Sequence, residues 1–66
     1  MNIRINGKDE TIDSPVSIAE LVSGKALLPD AVAVEHNLRI VSKEEWAETM
    51  VQENDTIEII GFFGGG

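Results

Sequence analysis

The sequence predicts an α+β domain in which one helix packs across one face of a mixed β-sheet. Three observations support this fold class: strand-like segments lie near both ends of the chain, one amphipathic helical pattern lies between them, and turn residues separate the remaining apolar segments. With 66 residues and no cysteine, we expect one small domain that depends on aliphatic packing rather than on disulfides or thiolate zinc sites.

The first segment predicts a β-hairpin. Apolar residues alternate with polar ones over residues 1–6, which is the period of a half-buried strand. Asn6-Gly7 suits a type I′ turn because both residues tolerate a positive φ. The return strand, 8–13, has a single aliphatic residue, and Glu10 falls on the same side as that residue. We therefore expect an edge strand, where charge is tolerated.

The next segment predicts a short helix over 18–23. Ser17 and Glu20 have the spacing of a capping box, in which each side chain bonds the other's free backbone N–H. Gly24 lies where the helix would end in the left-handed conformation. One helical face is aliphatic, as expected for a helix docked on a sheet by Ile18, Leu21 and Val22.

Residues 31–41 predict a second hairpin. The apolar stretch 31–35 is typical of a strand covered on at least one face. Polar residues 35–37 supply the predicted turn, and 38–41 supply the return strand.

The last third of the body predicts a helical turn followed by a strand. Ser42 and Glu45 repeat the capping-box spacing, so we expect one helical turn that leads into a core residue, Trp46. A polar turn at 53–55 precedes a β-branched strand, 56–60, which we place inside the sheet.

The predicted order is therefore β-β-α-β-β-turn-β. The economical arrangement places the first and last strands side by side at the centre of the sheet, which is the β-grasp, or ubiquitin-like, fold. We assign residues 1–63 to this domain and residues 64–66 to a flexible C-terminal glycine tail.

The charge of the chain restricts its partners. Five basic and 12 acidic residues give a net charge of −7, which repels nucleic acid and anionic lipid and favours a partner with a basic surface. The N-terminus does not have the pattern of a signal peptide, and no apolar run is long enough for a membrane span. We expect a cytoplasmic protein.

The body of the chain offers little for catalysis. His36 is the single histidine, and without a second histidine or a cysteine we interpret it as solvated surface. The acidic residues of the C-terminal half lack the spacing of a calcium loop, so we interpret them as a solvated face that comprises Glu44, Glu45, Glu48, Glu53 and Asp55. We expect neither an enzyme nor a bound cofactor or metal.

The glycine tail offers a different chemistry. A terminal carboxylate is a poor acyl donor, but adenylation by an ATP-using enzyme would give it a good leaving group. A sulfur nucleophile could then displace AMP and leave sulfur on the terminal carbonyl. Glycine suits a narrow active-site channel because it has no Cβ, so Gly64, Gly65 and Gly66 could reach a second enzyme.

Four stretches of the chain carry a family resemblance: NGK after the first strand, SIAELV, VAVEHNLRIVSKEEWAETMVQENDTIEII and the final GGG. Together they resemble the ThiS family, the sulfur carriers of thiamine thiazole biosynthesis, over essentially the whole chain. The resemblance implies a β-grasp fold, a protein that is a monomer on its own, and adenylation of Gly66 by a ThiF-like E1-type enzyme that uses ATP and Mg. It also implies conversion to a thiocarboxylate and delivery of sulfur to a ThiG-like thiazole synthase. Gly65 would be the family-typical neighbour of the modified residue, and Gly64 lengthens the two-glycine ending. Glu10 is a local departure, because an apolar residue would suit the second strand.

Three alternatives remain at the level of sequence. A MoaD-like carrier for molybdopterin, or a carrier for another sulfur pathway, would share the fold and the tail. A ubiquitin-like modifier would use the same adenylate to form isopeptide bonds with lysines. A plain interaction module would have an inert tail.

Phe62 and Phe63 are the only phenylalanines in the chain, and they lie between the last strand and the glycines. Because side chains alternate along a strand, one of the two should face away from the core. Exposed aromatic residues are frequent anchors at interfaces, so we predict that at least one of these residues docks the ThiF-like and ThiG-like partners. The alternative is that both cover the open end of the sheet.

Overall fold

The computed structural model describes residues 1–61, and residues 62–66 lie outside the described part. The described part contains seven short strands, one α-helix and two 3-10 turns. In chain order the elements are β1 (Asn2–Ile5), β2 (Lys8–Thr11), β3 (Val16–Ser17), α1 (Ile18–Gly24), a 3-10 turn (Pro29–Ala31), β4 (Val32–His36), β5 (Arg39–Val41), a second 3-10 turn (Lys43–Glu45), β6 (Met50–Val51) and β7 (Thr56–Gly61).

The main sheet has five strands in the order β2-β1-β7-β4-β5. β1 and β7 are parallel, and the other neighbours are antiparallel. The predicted β-grasp arrangement is confirmed, with the first and last strands of the domain adjacent inside the sheet and one helix against one face. No helix of residues 1–61 is long and apolar enough to cross a membrane.

The first hairpin follows the prediction. Asn6 and Gly7 have φ values of 50° and 81°, as a type I′ turn requires. β2 is an edge strand, also as predicted. Glu10 pairs in register with the buried Ile3, and its carboxylate lies 2.8 Å from Lys25 Nζ, just after the helix. Lys25 therefore pairs with the charge of Glu10, the residue that departs from the family pattern.

The N-terminus of α1 has the predicted capping box. Glu20 N–H donates to Ser17 Oγ at 3.0 Å, and Ser17 N–H donates to Glu20 Oε1 at 2.8 Å. Two backbone donors that the helix itself cannot satisfy are thereby bonded. The aliphatic stripe of the helix is buried, as expected, through Ile18, Leu21 and Val22.

The C-terminus of α1 differs from the prediction. Gly24 is the last helical residue and does not take a positive φ; Ala26 does, at 59°. Ala26 N–H donates to Ser23 C=O at 2.9 Å and Leu27 N–H donates to Val22 C=O at 3.3 Å, which is the bonding of a Schellman motif. Gly24 therefore lies inside the last helical turn, and Ala26, a residue with a Cβ, occupies the left-handed position after the helix.

A small second sheet was not predicted. β3 pairs antiparallel with β6, and Val16 lies opposite Val51. Each of these strands has only two residues, too few for a period to be recognised in the sequence. Their pairing anchors the start of the helix to the segment before the last turn, and Val51 is fully buried.

The core lies between α1 and the inner face of the main sheet. Its fully buried side chains come from the helix, the two central antiparallel strands and β6, namely Ile18, Val22, Val34, Val51 and Ile57. Trp46 is buried at its edge, as predicted, and its indole N–H donates to Val41 C=O at 3.0 Å. This bond satisfies the one polar group that the indole brings into the core.

The second hairpin turns later than predicted. Its two-residue loop is Asn37-Leu38, with φ values of 51° and 73°, so the turn predicted at 35–37 is wrong by about one residue. His36 belongs to β4 and pairs with Arg39. A positive φ costs a leucine roughly 1–2 kcal/mol, and the side chain of Leu38 is 86% exposed. The sequence pattern did not reveal this because leucine is unusual in such a turn.

The predicted helical turn after Ser42 is present, but its predicted capping box is not. Ser42 makes no side-chain hydrogen bond to the turn. Glu45 N–H instead donates to the backbone C=O of Ser42 at 2.8 Å. One 3-10 turn is too short to place both side chains against the opposing backbone groups.

The end of α1 generates a prediction that uses two opposite substitutions. Gly24→Ala should raise the free energy of unfolding by about 0.5–1 kcal/mol, because Gly24 is helical and a Cβ there would meet no atom within 4 Å. Ala26→Gly should also raise it, by up to about 1 kcal/mol, because glycine removes the strain of the left-handed conformation.

Urea unfolding of the two variants checks this assignment. Ala19→Gly, in the same helix, is the control and should lower the free energy of unfolding by about 0.5–1 kcal/mol. A loss of stability in Gly24→Ala would mean that Gly24, and not Ala26, takes the left-handed conformation.

Candidate functional site

β7 is the base from which the predicted functional tail extends. It lies between β1 and β4, and Ile57, its second residue, is fully buried. Its last pair joins Gly61 to Val32, the first residue of β4. The chain therefore leaves the sheet from a strand that is held on the β4 side up to its final residue.

The predicted site residues Phe62, Phe63, Gly64, Gly65 and Gly66 lie outside the described residues. Their proposed roles stay predictions, as does the domain boundary at 63. The structure does place the position where the chain reaches them, beside Val32 and the 3-10 turn before β4.

The first hairpin also reaches this end of the sheet. Asn6 N–H donates to Ile57 C=O at 2.9 Å, and the Asn6 side-chain Oδ1 accepts from Ile59 N–H at 2.8 Å. The asparagine side chain thus replaces a backbone carbonyl of β1, which ends at Ile5. β7 continues beyond the hairpin tip.

The sheet face opposite α1 carries a patch that we call the open face, composed of Ala33, Glu35, Ile40, Glu58 and Ile60. These residues alternate with the buried ones along β4, β5 and β7, so their side chains point away from the core. Ile60 is 44% exposed and lies opposite Ala33, and Ile40 is 66% exposed. The open face therefore presents apolar side chains next to the exit of the chain.

Two carboxylates share the open face. Glu35 and Glu58 lie directly opposite each other on β4 and β7, and Glu35 is also opposite Ile40 on β5. Like charges at directly opposite positions destabilise a sheet by roughly 0.2–1 kcal/mol. The arrangement is unfavourable for the isolated fold and would suit a cationic group of a partner.

The histidine is not solvated, contrary to the prediction. His36 Nε2 lies 2.7 Å from Asp55 Oδ2, and both side chains are mostly buried. An ionised carboxylate can only accept, so Nε2 carries the proton of this bond. The sequence could not reveal the pair, because 19 residues separate its members.

Asp55 is the centre of a polar cluster at the start of β7. Its carboxylate also accepts from Gln52 N–H at 2.8 Å and from Asn37 Nδ2 at 3.1 Å, and Asn37 Oδ1 accepts from Thr56 N–H at 2.9 Å. Burial alone would raise the pKa of Asp55, but the hydrogen bonds from His36, Gln52 and Asn37 outweigh it and hold the pKa below its ordinary value. The cluster fastens the tip of the second hairpin to the turn before β7.

The other acidic residues divide into two groups. The predicted solvated face is correct for the exposed Glu44, Glu45 and Glu48. Glu53 is exposed but accepts from Asn2 N–H at 3.2 Å, so it holds the start of β1, and for Asp55 the prediction is wrong. Within residues 1–61, no three acidic or histidine side chains come together in a way that could hold a metal ion.

Sequence reasoning did not identify the open face or the role of Asn6. The alternation of β7 indicated which residues face outward, but their neighbours depend on the register with β4. Asn6 was recognised for its turn, and its bond to Ile59 depends on the parallel contact between two distant strands.

The fold and the exit of the chain define a class of protein: a small β-grasp domain whose last strand extends from inside the sheet into a short glycine-ended segment. The model of the ThiS family matches residues 3–66, which is nearly the whole sequence. The chain belongs to the ThiS family, as the resemblance of its motifs predicted.

Similar proteins agree with this assignment. The sulfur carrier protein ThiS of Bacillus subtilis is 35% identical over 65 residues, which cover 97% of this chain and 98% of that protein. The crystal structure of the thiamine biosynthesis protein ThiS of Geobacter metallireducens superposes with a TM-score of 0.86 at 35% identity and covers 100% of both chains.

Two thiazole synthases are also similar, those of Magnetococcus marinus and Paramagnetospirillum magneticum. Each is 35% identical to this chain over 66 residues. These residues cover 100% of this chain but 20% of either enzyme, so the chain spans about a fifth of the length of these relatives.

The polar cluster generates a prediction about pH. Since Asp55 has a lower pKa in the folded protein than its ordinary value of 3.8, its stabilising effect is complete at pH values above 3.8. It is lost as the pH falls through the lower pKa of the folded state. Asp55→Asn should lower the free energy of unfolding at pH 7 by about 1–3 kcal/mol, because the amide cannot replace all the accepted bonds. The deficit should shrink in acid.

Urea unfolding between pH 2 and pH 7 checks this expectation. Asp9→Asn is the matched control: the carboxylate of this exposed aspartate lies 3.2 Å from Arg4, and its substitution should lower the free energy of unfolding by about 0.5 kcal/mol or less. An Asp55→Asn deficit that stays constant down to pH 2 would contradict the assigned titration.

Proposed function

We propose that this chain is the sulfur carrier for thiazole formation in thiamine biosynthesis and that Gly66 carries the sulfur. The observation that carries the proposal is the family match over residues 3–66, which includes the glycine end. The printed name of the Bacillus subtilis relative, a sulfur carrier protein, supports the same role. The thiamine names of the relatives favour this pathway over the molybdopterin alternative.

The proposed chemistry takes place on the carboxylate of Gly66. One of its oxygens attacks the α-phosphate of ATP, which releases pyrophosphate and leaves an acyl-adenylate. A sulfur nucleophile at the oxidation level of hydrosulfide then forms a C–S bond with the terminal carbonyl carbon. The C–O bond to AMP breaks, and AMP leaves with the oxygen that attacked the phosphate. The product is a thiocarboxylate, and the nucleophile loses its proton to solvent.

In this proposal the chain is a protein co-substrate and not an enzyme. ATP and Mg are used by a ThiF-like activating partner, and the carrier itself holds no cofactor. The sulfur passes to a ThiG-like thiazole synthase in the cytoplasm. Two thiazole synthases support that pairing, because about a fifth of each enzyme is similar to this whole chain. Each of these polypeptides therefore joins a carrier-like sequence to a synthase.

We propose that the activating enzyme docks on the open face. Ile60 lies on this face, one residue before the described part ends, so a partner seated there meets the tail directly. Apolar contacts with Ile40 and Ile60 would be flanked by a basic group opposite Glu35 and Glu58, in keeping with the net charge of −7. Phe62 and Phe63, which lie outside the described residues, remain the predicted aromatic anchors.

Incubation with a ThiF-like enzyme, MgATP and a sulfur donor tests the proposed function. The protein should gain the mass difference between sulfur and oxygen, and fragmentation should place the change on Gly66. The reaction should require all three components, because the carboxylate must be activated before sulfur can replace its oxygen.

A variant with one residue added after Gly66 is the control. It should fold normally and remain unmodified, because its carboxylate is displaced from the α-phosphate. Modification of a side chain, or full modification of the extended variant without trimming, would refute the carrier mechanism.

The docking surface has its own test. Glu58→Gln should weaken binding of the activating enzyme about 3- to 10-fold, mainly through a slower association rate, and the salt dependence should decrease. Stability should be unchanged or higher, because the repulsion with Glu35 is removed. Titration calorimetry and stopped-flow binding at two salt concentrations measure these effects.

Glu48→Gln is the matched control, since this exposed glutamate lies between the second 3-10 turn and β6 rather than on the open face. If both variants change binding equally, general charge steers the encounter and the open face is not the docking surface.

A further inference from the structure

The parallel ladder between β1 and β7 stops before β7 does. Arg4 N–H donates to Asp55 C=O and Asn6 N–H donates to Ile57 C=O, both at 2.9 Å, so the acceptors on β7 follow at intervals of two residues. The next acceptor in this series is Ile59 C=O. The chain has already turned back at Asn6-Gly7, and β1 does not reach it.

The backbone direction along β7 shows which groups lie on this side. Thr56 bonds to Asn37, next to β4, through both its N–H and its C=O, whereas Ile57 and Ile59 bond to Asn6. Backbone groups alternate sides along a strand, so Ile59 C=O and Gly61 N–H both point toward the line of β1. Among residues 1–61, the pairing of β1 with β7 ends at Ile5 and Ile57 and therefore reaches neither group.

This acceptor and donor form a specific pair. In a parallel sheet, a residue donates its N–H to one carbonyl of its neighbour and accepts from the N–H two residues further on. Ile59 C=O and Gly61 N–H are the two groups that a residue opposite Ile60 would bond. A strand segment that continues the line of β1 would complete the ladder.

The chemistry of this edge also fits a partner. Natural sheets protect their edges with charge, and β2 does so with Lys8, Asp9 and Glu10. The open edge of β7 consists of Ile59, Ile60 and Gly61, which carry no charge. Gly61 has no side chain to obstruct an approaching backbone.

We propose that the activating enzyme inserts an extended segment beside β7, in parallel, with one residue bonded to Ile59 C=O and Gly61 N–H. This inference rests on the proposed function and adds the element that sets the register of the tail. Five residues separate Gly61 from Gly66, a reach of at most about 17 Å. A backbone clamp at Gly61 therefore fixes how deeply the reactive carboxylate can enter the enzyme.

Amide hydrogen exchange of the labelled full-length protein tests the clamp directly. Gly61 N–H should exchange rapidly in the free carrier and at least about 10-fold more slowly with saturating ThiF-like enzyme. Ile60 N–H, which points toward β4, is the internal control and should be protected in both states. Unchanged exchange of Gly61 at saturation overturns the proposal.

A pair of variants tests the hydrogen bond itself. Gly61→Pro removes the N–H that points at the open edge, and Gly61→Ala keeps it. Gly61→Pro should bind the enzyme about 10-fold more weakly than Gly61→Ala, while urea unfolding shows similar stability for both. Equal affinities overturn the proposal, and if Gly61→Pro does not fold, the exchange experiment on the natural sequence decides.

The remaining outcomes separate this inference from the proposed function. Protection of Gly61 by thiazole synthase alone overturns the assignment to the activating enzyme. If the enzyme binds and protects Gly61 but no thiocarboxylate forms, the clamp stands and the proposed function fails. If the thiocarboxylate forms without protection, the function stands and the clamp fails. Absence of any binding overturns both.

Discussion

The parallel contact between β1 and β7 is the constraint on which the rest of the structure depends. It joins Arg4 to Thr56 and Ile5 to Ile57, residues from nearly opposite ends of the chain. Closing such a long loop costs conformational entropy before any contact compensates for it. Burial of apolar surface compensates for this cost, because Ile57 is fully buried beneath the helix once β1 and β4 flank β7. Because a chain of this size has little other core, the helix and the second hairpin are stable only when this central pair has formed.

The same constraint determines where chemistry can occur. At Ile57, β7 is paired with both β1 and β4 and cannot move to accommodate a substrate, and the core it covers is filled by aliphatic side chains and Trp46. In the proposed function, the reactive group therefore lies beyond the sheet, on the segment that follows Gly61. Since β7 is paired with β4 up to Gly61, the direction in which that segment begins is set by the fold and not by the partner. This geometry is consistent with a carrier, which presents one end of its chain to successive enzymes.

The sequence predicted the elements of this fold better than their contacts. Alternation, the capping box at Ser17 and the turn at Asn6-Gly7 act over a few residues, and all three were correct. The errors arose where tertiary contacts override local preference: Ala26 takes the left-handed position expected of Gly24, and His36 is held in β4 by Asp55. Of the candidate site, the sequence indicated the tail and its chemistry. The open face and the free edge of β7 could not be predicted, because both depend on strand register.

The two ends of β7 differ in a way that the stability of the fold does not explain. At its start, the polar groups are satisfied within the domain: Asp55 accepts from two side chains and a backbone N–H, and Asn37 bonds the first residue of the strand. At its end, the backbone faces an open edge, Ile60 is partly exposed, and Glu58 opposes another carboxylate. A sequence selected for stability alone would relieve such features as readily at one end as at the other. In the proposed function, these features lie beside the segment that carries the reactive carboxylate. The polar groups at the start of β7 are bonded within the domain, and a second protein would satisfy those at its end.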